Sequence, residues 1–162
     1  MAAFAVDPDD LYAITAALEA ALRAGDVAAA LAMGHRLVER HPYDHRGPER
    51  LAELYAKSLT PEVAVGHGAV AIEAAPYCGN AHAYGALAYL LAGERDRARR
   101  HAEQALRLSP PDDPDGYDAG LLVVRALGGD GAGLERCLAA STEPASALGG
   151  FFDRLRAIAA GD

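Results

Sequence analysis

The sequence predicts an all-α fold, a solenoid of antiparallel helix pairs, and three observations predict it. Pro42, Pro76 and Pro110 stand at intervals of 34 residues, and each closes a segment that reads as two short helices. Small residues repeat with the same period: Ala30, Ala64 and Ala98, then Gly34, Gly68 and Ala102. Hydrophobic residues make up 51% of the chain while aromatics make up 6% and Trp is absent. Burial therefore rests on Ala, Leu and Val, side chains that let helices approach closely. A fixed period of this length marks stacked helix-turn-helix units. The 162 residues suffice for one ordinary domain, which buries roughly 70% of its unfolded surface.

Hydrophobic periodicity and turn chemistry place the elements in order. The first pair is expected over about 10–24 and 27–41, with Gly25 at the turn, where a positive φ costs glycine nothing. The second pair reads as 47–58 and 61–75. Thr60-Pro61-Glu62 opens its second helix with a capping hydroxyl, a proline in the first turn and an acid suited to the helix dipole. The third pair reads as 80–92 and 95–108, with Gly93 at the turn. Within each second helix the repeated small residues lie four apart and share one face. That is what the closest approach of two paired helices requires. Ala71 and Ala105 extend the face, with Leu37 in the first copy. Each proline then ends its helix cleanly.

Regularity stops after Pro110. Pro111 to Asp115 reads as a loop, and the fourth pair, about 115–128 and 131–140, is degenerate. Gly128-Gly129-Asp130 marks its turn, Leu134 and Leu138 take the small-residue slots, and Pro144 comes early. A last helix over about 145–159 carries Phe151, Phe152, Leu155 and Ile158 at helical spacing. Its simplest role is a cap, because a terminal repeat must face water on one side. The expected organisation is a single domain over 1–162. Its repeats span about 11–44, 45–78 and 79–112, followed by the degenerate unit 115–143 and the C-terminal helix 145–159.

These residues resemble the tetratricopeptide repeat. The third copy carries the pattern best, through Ala86, Tyr89, Gly93, Ala98, Ala105 and Pro110. The first matches through Gly25, Ala30 and Pro42, and the second through Leu51, Ala52, Tyr55, Ala64, Ala71 and Pro76. Ile14, Pro48 and His82 stand where the family has a large aromatic early in the first helix. The resemblance implies a right-handed superhelix with a concave groove lined by the first helix of each pair. It implies protein or peptide binding as a class and says nothing about the ligand.

Composition narrows the partner. With 15 basic and 23 acidic residues the net charge is −8. That argues against a nucleic-acid footprint, which needs clustered Lys and Arg, and against an anionic membrane surface. Cys78 and Cys137 form neither a CxxC pair nor a disulfide framework, as expected of reduced thiols in the cytoplasm. The first ten residues lack the basic region of a signal peptide, and no apolar run is long enough to span a bilayer.

Projecting the first helices gives the inward positions. They are Tyr12, Thr15, Glu19 and Arg23, then Arg46, Glu49, Arg50, Glu53 and Lys57, then Asn80, Ala83, Tyr84, Leu87 and Leu91. The groove is thus charged in its first half and apolar in its second, and suits an amphipathic helix or extended peptide. The residues expected to line it are Arg23, Arg46, Arg50, Glu53, Lys57, Asn80, Tyr84, Leu87 and Leu91. The competing reading is that Tyr84, Leu87 and Leu91 pack as core against the fourth repeat or the C-terminal helix. A family subclass grips C-terminal carboxylates with Lys, Asn and Arg. Here Thr15, Glu19, Glu49 and Glu53 hold the equivalent positions, and the acids would repel a carboxylate. Replacing Arg50 and Lys57 together by alanine is expected to weaken partner binding with little loss of stability, since exposed charges contribute little.

The remaining motifs point to no chemistry. Arg95, Arg97, Arg99, Arg100 and Arg107 read as a solvated convex face, with Arg99–Glu103 and Arg100–Gln104 as i,i+4 partners. His41 and His45 straddle a repeat boundary within reach of one ion, and His67 and His101 occupy equivalent slots and could stack a repeat apart. Without an HExxH pattern no metal site or cofactor is assigned. Asp112, Asp113, Asp115 and Asp118 suit a helix N-terminus rather than a calcium loop. No phosphate loop or GxSxG element is present, so the chain is expected not to be an enzyme. The leading expectation is a cytoplasmic adaptor binding a partner's peptide or helix. The alternatives are self-assembly, as a homodimer through a C-terminal helix hinged at Gly149-Gly150, and a small-ligand or enzymatic helical protein.

Overall fold

The computed structural model describes residue 7 and residues 9–109, 114–140 and 145–162, with side chains described throughout these except at 114–115 and 145–149. Pro110, Pro111, Asp112, Asp113 and Pro144 lie outside the described residues, as does the side chain of Asp115. Among the described residues all regular structure is helical. The helices are α1 (Leu11–Ala24), α2 (Val27–Arg40), α3 (Arg46–Lys57), α4 (Pro61–Ala74), α5 (Gly79–Leu91), α6 (Arg95–Leu108), α7 (Pro114–Gly128), α8 (Gly131–Ala140) and α9 (Ala145–Ala160). Each expected boundary falls within one residue of these.

The fold is an all-α solenoid. Each first helix packs on its own second helix, α1 on α2, α3 on α4 and α5 on α6, and each second helix leans on the next first helix. Four equivalent turns join the pairs. The C-terminal residue of each turn donates its N–H back across one helical turn, from Asp26 to the Ala21 carbonyl, Thr60 to Tyr55, Glu94 to Tyr89 and Asp130 to Arg125, at 2.9–3.0 Å. This closure needs a left-handed residue just before it. Gly25, Gly93 and Gly129 supply it with φ of 70°, 81° and 69°, and Leu59 supplies it in the second repeat with φ 55°. A leucine in this region carries a steric cost that glycine avoids. Thr60 does not cap α4 as its sequence suggests. Its hydroxyl donates instead to the Tyr55 carbonyl at 2.9 Å, tying the turn to α3.

The small-residue face is buried as a row: Ala30, Gly34 and Leu37 in α2, Ala64, Gly68 and Ala71 in α4, Ala98, Ala102 and Ala105 in α6. It serves the junction with the following repeat as much as the pair itself. A Cβ on Gly34 would lie 2.7 Å from Leu51 Cδ2, and one on Gly68 would lie 3.0 Å from the Gly85 Cα. Gly68 and Gly85 let the backbones of α4 and α5 meet. The 34-residue period thus encodes stacking between repeats.

α5 is the centre of the core. Every residue from Ala81 to Leu91 is buried, as expected of a helix apolar all round. Helices α3, α4, α6 and α7 pack around it. α9 supplies the remaining cover. It touches α7, α8 and, two repeats away, α3. Phe151, Phe152, Leu155 and Ile158 join Leu87, Leu90, Leu91, Ala56 and Leu127 in one apolar cluster. The chain runs helically through Gly149-Gly150, so no hinge interrupts α9. No described helix is long and apolar enough to cross a membrane.

Candidate functional site

Helices α1, α3 and α5 turn successive faces toward one side and enclose a cleft of about 230 Å³. Thr15 and Glu19 come from α1, Arg46, Glu49 and Arg50 from α3, and Asn80 from α5, with Leu18, Leu37, His45 and Cys78 completing the walls. Sequence projection named the first six of these. It missed His45 and Cys78, which directly precede α3 and α5. The available signal was register: His45 is four residues before Glu49, and Cys78 lies one period after Asp44.

Charges inside the cleft are organised rather than solvated singly. Arg50 pairs with Glu19 at 2.8 Å and Glu53 at 2.9 Å, and donates to the Tyr84 hydroxyl at 3.3 Å. Its guanidinium also lies 5.8 Å from the centre of the Tyr84 ring. Lys57 grips the other oxygen of Glu53 at 2.6 Å. Glu53 is only 5% exposed. Burial pushes its carboxyl toward the neutral form, yet the charges of Lys57 and Arg50 outweigh burial and hold its pKa below the usual value. For Arg50, burial works against the charge, and Glu53, Tyr84 and Glu19 more than offset it, so its pKa is raised. The expectation that Arg50 and Lys57 are exposed charges of little structural value is therefore corrected. Removing both would strand a buried carboxylate, which costs about 3–5 kcal/mol.

The other expected groove residues divide sharply. Arg23 is exposed in the last turn of α1. Arg46 pairs with Asp44 at 2.9 Å and lies 5.7 Å from the Tyr12 ring centre at the cleft's rim. Tyr84, Leu87 and Leu91 are 5%, 1% and 8% exposed. Tyr84 packs with Ala52, Ala83, Ala105 and Ala119, while Leu87 and Leu91 lie in the cluster shared with α9. In this conformation the three offer no open apolar wall.

His45, Glu49 and Cys78 are the described residues whose ligand-type atoms all lie within 4.8 Å of one another. Glu49 is 4% exposed. Its Oε2 accepts from the Cys78 thiol at 3.6 Å and lies 3.9 Å from His45 Nε2. Burial pushes the Cys78 thiol pKa up, the approaching backbone N–H of Ala81 partly offsets this, and the Glu49 charge adds to it. His41 takes no part, since its Nε2 bonds the Asp9 carbonyl at 2.9 Å.

Of the remaining histidines, His67 and His101 stack on tyrosines and not on each other a repeat apart, His35 meets Tyr55 edge-on, and His82 stacks on His101 within one repeat. His67 lies flat on Tyr55 with centroids 5.7 Å apart, and His101 on Tyr89 at 5.5 Å, the same contact in successive repeats. His35 Nε2 meets the Tyr55 hydroxyl at 2.8 Å, and His82 Nδ1 meets His101 Nδ1 at 3.0 Å. Because His82 Nε2 donates to the Pro76 carbonyl at 2.9 Å, a neutral His82 accepts from His101. Burial, reinforced by the neighbouring His35 or His82, lowers the pKa of both stacked histidines. On the convex side Arg95, Arg97, Arg99, Arg100 and Arg107 are all exposed. The i,i+3 pairs Arg97–Glu94 and Arg107–Gln104 form there, in place of the i,i+4 pairs expected.

Several solved structures resemble this one, among them two of tetratricopeptide-repeat proteins. The first tetratricopeptide-repeat domain of the human RPAP3 protein superposes with a TM-score of 0.61 at 14% identity, over 83% of this chain and 100% of that one. TTC0263, a thermophilic tetratricopeptide-repeat protein of Thermus thermophilus, superposes with a TM-score of 0.63 at 25% identity, over 92% of this chain and 83% of that one. No family model and no curated protein matches the sequence.

Proposed function

We propose a function from one premise: the chain is a tetratricopeptide-repeat protein, a repeat module of the kind that serves interactions between proteins. On our reading it is a non-catalytic adaptor that binds a polar segment of a partner protein on the half of its concave surface formed by α1, α3 and the start of α5. One observation carries this reading. The inward side chains of three successive first helices line a single cleft. At about 230 Å³ it falls below the usual range for a small-molecule pocket and suits one or two side chains of an extended segment. Thr15 and Asn80 offer neutral hydrogen-bonding groups, and the charged network around Arg50 sets the rim. Glu19 and Glu49 disfavour a terminal carboxylate.

The reading narrows the expected groove. Its apolar half, at Leu87 and Leu91, is buried in the cluster shared with α9, so an amphipathic helix laid along the whole array is not favoured. The apolar residues of α9 are buried against their own array, which leaves a homodimer through this helix without an exposed apolar face among the described residues.

The test is partner capture from native cytosol with three baits: wild type, Thr15→Trp to fill the cleft, and the convex-face variant Arg107→Ala. A partner retained by wild type and Arg107→Ala and lost with Thr15→Trp supports the reading, with helicity checked by circular dichroism. A partner held equally by Thr15→Trp places binding elsewhere and rejects the cleft.

A further inference from the structure

The walls of the cleft hold a cluster that partner binding does not require. We propose that His45, Glu49 and Cys78 form a binding site for one zinc ion, with a fourth coordination position open to the cleft.

Ligand chemistry selects the metal. An imidazole nitrogen, a carboxylate oxygen and a sulfur make a mixed set suited to zinc, whereas magnesium and calcium take oxygen. Geometry agrees. Zinc bonds of about 2.0–2.3 Å at tetrahedral angles put ligand atoms roughly 3.3–3.6 Å apart. The Cys78 sulfur already lies 3.6 Å from Glu49 Oε2, and His45 Nε2 lies 3.9 Å from the same oxygen. Closing these two contacts on an ion requires shifts of tenths of an ångström, and the third pair, His45 and Cys78, lies within 4.8 Å and closes by up to about 1 Å as the side chains turn onto the ion. The three residues sit on well-supported backbone: His45 at the N-cap of α3, Glu49 in its first turn and Cys78 at the N-cap of α5. Helices α3 and α5 pack directly against each other. His45 and Glu49, four apart, share a helix face.

Charge supplies a further reason. The buried Glu49 carboxylate faces a sulfur that becomes anionic on metal binding. Two anionic ligands balance a divalent cation, and neutral His45 adds the third bond. As the S–Zn bond forms, the Cys78 proton leaves to solvent and the thiol–carboxylate hydrogen bond is lost. Water fills the fourth position, next to Thr15 and Asn80. Because binding releases a proton, affinity falls as pH is lowered.

The test uses the reduced full chain without a partner, so its outcome is separate from that of the capture experiment. Co²⁺, a spectroscopic stand-in for zinc, is titrated, then displaced with Zn²⁺. The expected result is one equivalent of Co²⁺ with a sulfur-to-metal charge-transfer band and the intense visible bands of tetrahedral cobalt. Zn²⁺ should abolish both and raise the melting temperature. Cys78→Ser should lose the charge-transfer band. His45→Gln, at a partly exposed position that leaves the fold intact, should weaken binding by at least about tenfold, as loss of even a supporting residue does at metal sites. Cys137→Ser should bind as wild type. Absence of saturable binding at micromolar metal overturns the proposal. So does binding that survives both Cys78→Ser and His45→Gln, which would assign the metal to the His35–His67 or His82–His101 pairs.

Discussion

The concave side has two halves built from the same repeat and held by different chemistry. Over α1 and α3 it is charged and open, with Arg50 bridging Glu19 and Glu53 and Lys57 closing the ladder. Over α5 it is apolar and closed, with Leu87 and Leu91 buried in one cluster with Phe151, Phe152 and Leu155 of α9. The backs of both halves are nearly interchangeable: the same small-residue rows, turns and Tyr–His stacks recur at the same spacing. The period therefore governs how repeats stack and leaves the inward positions free to differ. One half became core and the other stayed a surface.

The closed half should show the larger dependence on packing. Phe151→Ala removes an anchor that is 2% exposed, and a loss of about 3–5 kcal/mol is expected, read by urea unfolding. A loss below about 1 kcal/mol would mean that α9 is a loose cover and the two halves are more alike than described.

The open half should depend on its ion pairs to a similar but smaller extent. The double variant Arg50→Ala and Lys57→Ala should cost about 3 kcal/mol. Adding Glu53→Leu to it should recover much of that loss, because the stranded charge is gone. If the double variant is as stable as wild type, Glu53 is not held as a buried ion and the contrast between the halves collapses.

The junction between them can be probed at one atom. Gly68→Ala drives a Cβ to 3.0 Å of the Gly85 Cα, a backbone contact that neither helix can relieve by rotating a side chain, and about 1–3 kcal/mol should be lost. Two residues earlier, Gly66 has open space around its Cβ position. There Gly66→Ala should stabilise by about 0.5–1 kcal/mol through helix propensity alone. It is the smallest effect of the set and the control for Gly68.

Acid should act in two windows, the first on the Tyr–His stacks that both halves share and the second on the open half alone. His67 and His101 have pKa values below the ordinary 6.5. The unfolded chain takes up their protons first, so stability is full above pH 6.5 and falls as pH drops through their folded values. Glu53 is held below its ordinary 4.5, so its contribution is full above that pH and lost further into acid. Urea midpoints from pH 8 to pH 3 should show two separate declines. His101→Gln should diminish the first, and Glu53→Gln should diminish the second. One decline insensitive to both would remove this account.

Much of the fold was legible in the sequence, and less of the site. Pro42 and Pro76, Gly25 and Gly93, and the rows beginning at Ala30, Ala64 and Ala98 located helices and turns because these depend on local spacing. Thr60 misled, since its hydroxyl bonds the preceding helix and not the one it precedes. Leu59 could only be read as a missing glycine, although it adopts the glycine's conformation. In the cleft, Thr15, Glu19, Arg46, Glu49, Arg50 and Asn80 were reachable by projecting helical faces. Cys78 was not, because it enters from the segment before α5, where face projection does not apply.

The sequence by itself determined where each described helix begins and ends, the turns between them and the face each second helix turns to its neighbours. Backbone propensity and the helical repeat of 3.6 residues act over a few positions, so they are written locally. Only the tertiary structure decided that Glu53 is buried between two cations, that α9 shares the core cluster of α5, and that His45, Glu49 and Cys78 meet. Each is settled by packing between elements far apart in the chain. Its outcome depends on how much water the surrounding repeats exclude, a property of the assembled core that no single repeat carries.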